Sequence, residues 1–160
     1  MAKLAAFQRD PEALSKGVWI NPDPDFDIEL RVKAKDALFA DLVSIGYRKL
    51  IKNAKEDGRL KSDSRSPLND LPPSAVANVE NEIVLAKYIT DVRNLEDDAG
   101  AVDIEKFRKM AMTEEFRPLL DMALVAFNLA TNRRASDQEE ALGNSAPSRP
   151  TASRGAAPRS

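Results

Sequence analysis

Gly17–Ala34 reads GVWINPDPDFDIELRVKA. Its second half alternates without a break, with Phe26, Ile28, Leu30 and Val32 on one side and Asp27, Glu29, Arg31 and Lys33 on the other. A two-residue period is that of a half-buried strand, because successive side chains of an extended chain point to opposite faces. Val18–Ile20 forms a shorter extended piece, and the NPDPD at residues 21–25 is turn chemistry, so a β-hairpin is expected over about residues 18–33. A lone two-stranded hairpin is marginal in water. Its apolar face is therefore expected to rest on a helix, or on a sheet completed by another chain, with the single Trp, Trp19, anchoring the contact.

Outward from this stretch the pattern is helical. Upstream, DPEALSKG reads as a short helix capped by Asp10, opened by Pro11 and ended by Gly17. Downstream, over about residues 35–57, the period changes to that of an amphipathic helix with two neighbouring apolar lines. Leu38, Leu42, Ile45 and Lys49 form one; Phe39, Val43, Leu50 and Ala54 lie close to it. Residues 59–74, RLKSDSRSPLNDLPPS, are rich in Pro and small polar residues and read as a mobile or peripheral loop. A central helix is expected over about 75–92 with Ser74 as its cap, a short one over about 103–111 capped by Asp103, and a last one over about 117–133. That last helix, with LLDMALVAFNLA, is apolar nearly all round, which implies burial in the core or at a subunit contact.

The fold class expected is α+β, mainly α, with an N-terminal β-hairpin packed on a small helical domain. Residues 1–135 form this single domain. Residues 136–160, dominated by Ser, Ala, Pro, Gly and Arg without an aromatic, are expected to be a disordered tail, because they cannot bury enough apolar surface to offset the entropy of ordering.

Composition removes several classes of function. Among 160 residues there are 24 basic and 26 acidic side chains, a formal net charge of −2, so no overall field favours nucleic acid or an anionic membrane. No apolar run approaches the roughly 20 residues that cross a bilayer, and the first residues lack the apolar core of a secretory signal; a soluble cytoplasmic protein is expected. There is no Cys and no His. Disulfides, thiolate metal sites, thiol nucleophiles, imidazole bases and Ser-His-Asp arrangements are all excluded by that absence. The chain reads as a non-enzymatic protein with no cofactor and no small-molecule substrate.

The remaining constellations have plain explanations. In NLEDDAGAVDIEKF, placing Gly100 sixth in a calcium loop puts Leu95 first and Lys106 twelfth, where carboxylates are required; no metal site is expected. Asp27 and Glu29 project from the wet side of a strand, where nothing perturbs them toward acid–base work. RKLIKNAK, residues 48–55, places positive charge at a helix C-terminus, where it complements the dipole. Met110, Met112 and Met122 suit core filling or an adaptable apolar groove.

One family order runs through these elements. MAKLAAFQRD leads to GVWI and the strand DFDIELRV; a basic helix with YRKLIKNA follows; then YITDVRNLEDDAGAVDIEKFRKMAMTEEFRPLLDMALVAF passes through an Asp/Gly turn into two helices. Over about residues 1–135 this resembles the small tail assembly chaperones of long-tailed bacteriophages and related prophage-like elements. The resemblance implies a protein of the host cytoplasm, absent from the mature virion, that binds the long, helical tape measure protein and keeps it soluble while the tail tube assembles. The tail tube protein is a second implied partner, and self-association is left open by the apolar last helix. A binder of helices needs an apolar groove. The candidate groove residues are Phe39, Val43, Met110 and Phe127, which combine size with positions on broad apolar faces. The alternative reading is a small structural virion component of the connector or head-completion type.

Overall fold

The alternating stretch joins a sheet of three strands, and the third strand comes from the same chain. A computed structural model describes residues 3, 4, 8 and 10–145. Helix α1 (Pro11–Lys16) is capped as expected: the backbone N–H of Glu12 donates to Asp10 Oδ1 at 3.0 Å, and Gly17 ends it at φ 88°. Strands β1 (Val18–Ile20) and β2 (Glu29–Val32) pair antiparallel, and β3 (Ile89–Arg93) takes the other edge of β2, giving the order β1-β2-β3. The register slips by one residue opposite Arg31/Val32. The extra residue, Thr90, donates its hydroxyl to the carbonyl of Lys16 and lies 3.2 Å from that of Arg31, tying the bulge to the end of α1.

Two expectations about the hairpin change here. Ile28, Leu30 and Val32 do face the core, but Phe26 stands 56% exposed, because β2 begins only at Glu29. Residues 21–25 are instead held by short side-chain turns, with Asp23 N donating to Asn21 Oδ1 at 2.9 Å and Asp25 N to Asp23 Oδ1 at 3.0 Å. Trp19 lies on the outer face of the sheet, not in the core. Its ring is flanked by the guanidinium groups of Arg93, 4.2 Å from the centroid, and Arg31, 5.9 Å.

Helix α2 (Ala37–Glu56) begins at Asp36, whose carboxylate accepts from the N–H of Phe39 at 3.2 Å. Past it, α3 (Pro67–Asp70) is a single turn inside the long loop. That loop is anchored: Leu60 and Leu71 are buried with Ala54 in a small second core against Leu50, Ile51 and Val76. The composition of residues 59–74 concealed two apolar anchors among its polar residues.

The helix expected over about 75–92 is shorter and ends differently. Helix α4 (Pro73–Ile83) starts after Pro72 without a side-chain cap, so Ser74 is inside it. It passes into a π-helical turn (Val84–Tyr88), and the chain becomes extended at Ile89. Val84, Leu85, Tyr88, Ile89 and Val92 suit a helix face by their spacing, and that periodicity hides the strand. Pairing with β2 decides the matter, since it satisfies a row of backbone groups that β2 would otherwise leave bare.

A two-residue ladder, β4 (Glu96–Asp97) with β5 (Gly100–Ala101), shapes the acidic turn. Helix α5 (Ile104–Ala111) follows, capped by Asp103 as expected. Arg108 on α5 donates to the carbonyls of Leu85 at 2.9 Å and Ile89 at 2.8 Å, which fixes α5 across the π turn. Helix α6 (Arg117–Ser145) runs about twelve residues past the expected end near 133. Ala135 to Leu142 lack the apolar content of a core segment but are good helix formers, and an established helix propagates through them. The rest of the expected tail, 146–160, lies outside the described residues.

Helix α6 and the inner face of the sheet enclose the main core, in which Leu30, Ile89, Phe107 and Ala126 are fully buried. The architecture is α+β and mainly α, with the sheet near the N-terminal end of the domain.

Candidate functional site

The four groove candidates divide between core and rim. Phe39 and Phe127 are buried, with ring centroids 5.4 Å apart, and both meet Tyr88, at 5.5 Å and 5.2 Å. Val43 is buried beside them in the same cluster, and Met110 is half-buried against it. The structure therefore brings Phe39, Val43 and Phe127 together, but as an aromatic-centred core and not as an open groove. They offer a partner no free surface in this conformation.

What remains at the surface is the neighbouring line on α2. Leu38 and Ile45 are each 56% exposed, and Leu42 between them is half-buried. Residues 38, 42 and 45 follow the i, i+4, i+7 spacing that puts side chains on one side of a helix. Beside them is a hollow of about 220 Å³ lined by Leu38, Leu42, Lys33, Lys87, Asp36 and Tyr88. Tyr88 donates its hydroxyl to Asp36 at 2.5 Å, the same carboxylate oxygen that caps α2, so the floor of the hollow is pinned by one shared acceptor. Burial first, and then the hydrogen bond to Asp36 and its charge, push the Tyr88 phenol up from its ordinary value. The rim is basic, with Lys33 and Lys87 on it, and the strip is apolar. Such a surface suits the apolar face of an amphipathic helix with acidic flanks.

Both apolar lines of α2 lie where the helical period puts them, and the groove candidates Phe39 and Val43 belong to the line that the structure buries. One signal separated them: the Phe39 line carries the aromatic and continues into Leu50 and Ala54, whereas the Leu38 line runs out into Lys49. A line that ends in Lys about three turns on is the more solvated one.

Two other surfaces stand out. On α6, Val125 (45% exposed) and Leu129 (39%) lie beside half-buried Met122, opposite the buried Ala123 and Phe127. Between α1, β1 and the C-terminal part of α6 is a cleft of about 710 Å³ with Leu14, Val18, Ala130 and Leu142 on its walls and Lys33 and Arg133 among its charges.

Among the described residues no three His, Cys, Asp or Glu side chains are grouped to hold a metal. The lowered carboxyls are explained by ion pairs on the surface: Asp57 by its hydrogen bond to Arg59, and Asp97 by that to Lys106. Burial, reinforced by Glu80, raises the Tyr47 phenol, whose hydroxyl donates to that carboxylate at 3.2 Å. No helix among the described residues is long and apolar enough to cross a membrane.

Fold and surface together define a mainly helical α+β protein that offers apolar helix faces to its surroundings. No family model, curated protein or solved structure matches the chain.

Proposed function

We propose that this protein is a non-enzymatic tail assembly chaperone of the long-tailed phage type, which acts in the host cytoplasm. It holds apolar helical segments of the tape measure protein in solution and is absent from the finished particle. The order of elements over residues 1–135 supports this reading, and one observation carries it: the strip on α2 made by exposed Leu38 and Ile45 with half-buried Leu42, beside a hollow with lysines on its rim. An exposed apolar strip costs solubility unless something covers it. A client helix laid along α2 buries its own apolar face there while its acidic flank meets Lys33 and Lys87. The binding surface is thus the Leu38 line rather than the buried Phe39 line.

Co-expression with the tape measure protein tests it. The wild-type chain keeps that partner soluble, and a Leu38→Asp/Ile45→Asp variant with an unchanged unfolding curve does not. If the variant solubilises the partner as well as wild type, the strip is not the site. If the wild-type chain neither binds nor solubilises it and instead copurifies with intact particles, the protein is a structural component of the virion.

A further inference from the structure

The outer face of α6 carries a pattern that α2 lacks. Pro118, Met122, Val125 and Leu129 fall within about 60° of one another around the helix, given 100° per residue. Pro118, Val125 and Leu129 are exposed on this face and Met122 is half-buried at its edge, while Leu120, Ala123, Phe127 and Ala130 of the same helix enter the core. Charges stand at its two ends. Glu114 and Glu115, in the turn before α6, and Arg133 near its other end are exposed and take part in no ion pair among the described residues. Asp121 is already occupied by Arg117, at 3.6 Å.

Counted along the sequence, these groups pair about a single point. The midpoint between Pro118 and Leu129 falls between Ala123 and Leu124, and so does the midpoint between Glu114 and Arg133. A two-fold axis there sets Val125 against Met122, Leu129 against Pro118, Arg133 against Glu114 and Asn132 against Glu115 of the other copy. It opposes no two like charges, since Arg117 falls in register with position 130 and Asp121 with position 126, both of them alanines turned into the core. An isologous interface requires that one patch complement itself in this way.

We propose that the outer face of α6 is a homodimer interface, in which two copies of the chain pair their α6 helices antiparallel about an axis near Ala123 and Leu124. An apolar centre supplies affinity, and two Arg133–Glu114 pairs at the rim fix direction and register. A parallel pairing would bring Arg133 against Arg133 and Glu114 against Glu114, so charge selects the antiparallel form. Nothing in this pairing depends on the tape measure protein, and it stands or falls separately from the chaperone reading.

Sedimentation equilibrium of the full chain, from about 1 to about 100 μM, is the test. Wild type is expected to pass from monomer to dimer. Val125→Asp, at an exposed position, should raise the dimer dissociation constant by at least roughly tenfold without moving the thermal unfolding curve measured at a concentration where both are monomeric. Arg133→Glu and Glu114→Arg should each weaken the dimer by roughly three- to tenfold. The double variant Arg133→Glu/Glu114→Arg should return it to near wild-type strength, which no loss of local structure could do. A wild type that stays monomeric throughout, or forms a trimer, overturns the proposal. So does a dimer indifferent to Val125→Asp, or a double variant weaker than either single one.

Discussion

Leu38 and Phe39 are adjacent in sequence, yet they should differ sharply when truncated. Phe39 is 6% exposed, packs on Tyr88 and Phe127, and carries the Lys35 ammonium 4.8 Å from its ring centroid. Cutting a buried Phe to Ala removes its transfer free energy and leaves a cavity, at about 3–5 kcal/mol. Part of that is the two aromatic contacts, worth about 0.5–1.5 kcal/mol each beyond their area. A domain of this size has a total stability of about 5–15 kcal/mol. Phe39→Ala should therefore remove a large share of it and lower the midpoint of thermal unfolding by about 10–20 °C. Leu38→Ala removes a side chain that is already 56% exposed, from a helix position where Leu and Ala have similar propensity. Its cost should stay within about 0.5 kcal/mol. Urea titrations followed by far-UV circular dichroism measure both. If Phe39→Ala lost less than about 1 kcal/mol, or Leu38→Ala lost more than Phe39→Ala, then α2 would be rotated by about 100° from the orientation described and the surface strip would be misassigned.

Two further perturbations probe the sheet and the floor of the hollow. At Gly17, φ 88° and ψ −174° form a region open almost only to glycine, and a Cβ there would collide with the backbone carbonyl of Val32; Gly17→Ala should cost more than about 3 kcal/mol by chemical denaturation. Gly58, at φ 80° with open space around it, should lose only about 1 kcal/mol as Gly58→Ala, and equal losses at the two sites would refute the close approach of α1 and β2. The raised pKa of the Tyr88 phenol means that the folded state holds this proton more tightly than the unfolded chain does. Its contribution is full below about pH 10, the unfolded value, and fades as pH rises through the folded one. Stability should thus fall in strong alkali with a slope that Tyr88→Phe reduces; an unchanged slope would mean that the buried hydrogen bond to Asp36 does not set the phenol's ionisation.

Local patterns went a long way in this chain because several of its elements are decided locally. Asp10, Pro11 and Gly17 bound α1, and Asp103 caps α5, by hydrogen bonds that span only a few residues. The alternation through Ile28, Leu30 and Val32 settled which face of β2 is buried, since an extended chain has just two. A helix leaves more freedom. On α2 two apolar lines lie side by side, and the choice between Phe39 and Leu38 as the inward one rests on where Tyr88 and Phe127 arrive from distant parts of the chain. Likewise, Ile89–Arg93 satisfies a helical period, and becomes β3 only because the free edge of β2 is there to receive it. Trp19 looked like a core anchor by its size, but the two-residue period of its strand sets it on the face opposite Ile20, the outer one, between Arg31 and Arg93. The sequence by itself determined caps, periods and composition, each a matter of neighbours within a few residues. Tertiary structure alone decided which of two adequate faces is buried and which edge receives a strand, because those free energies arise from contacts between residues that sequence spacing does not bring together.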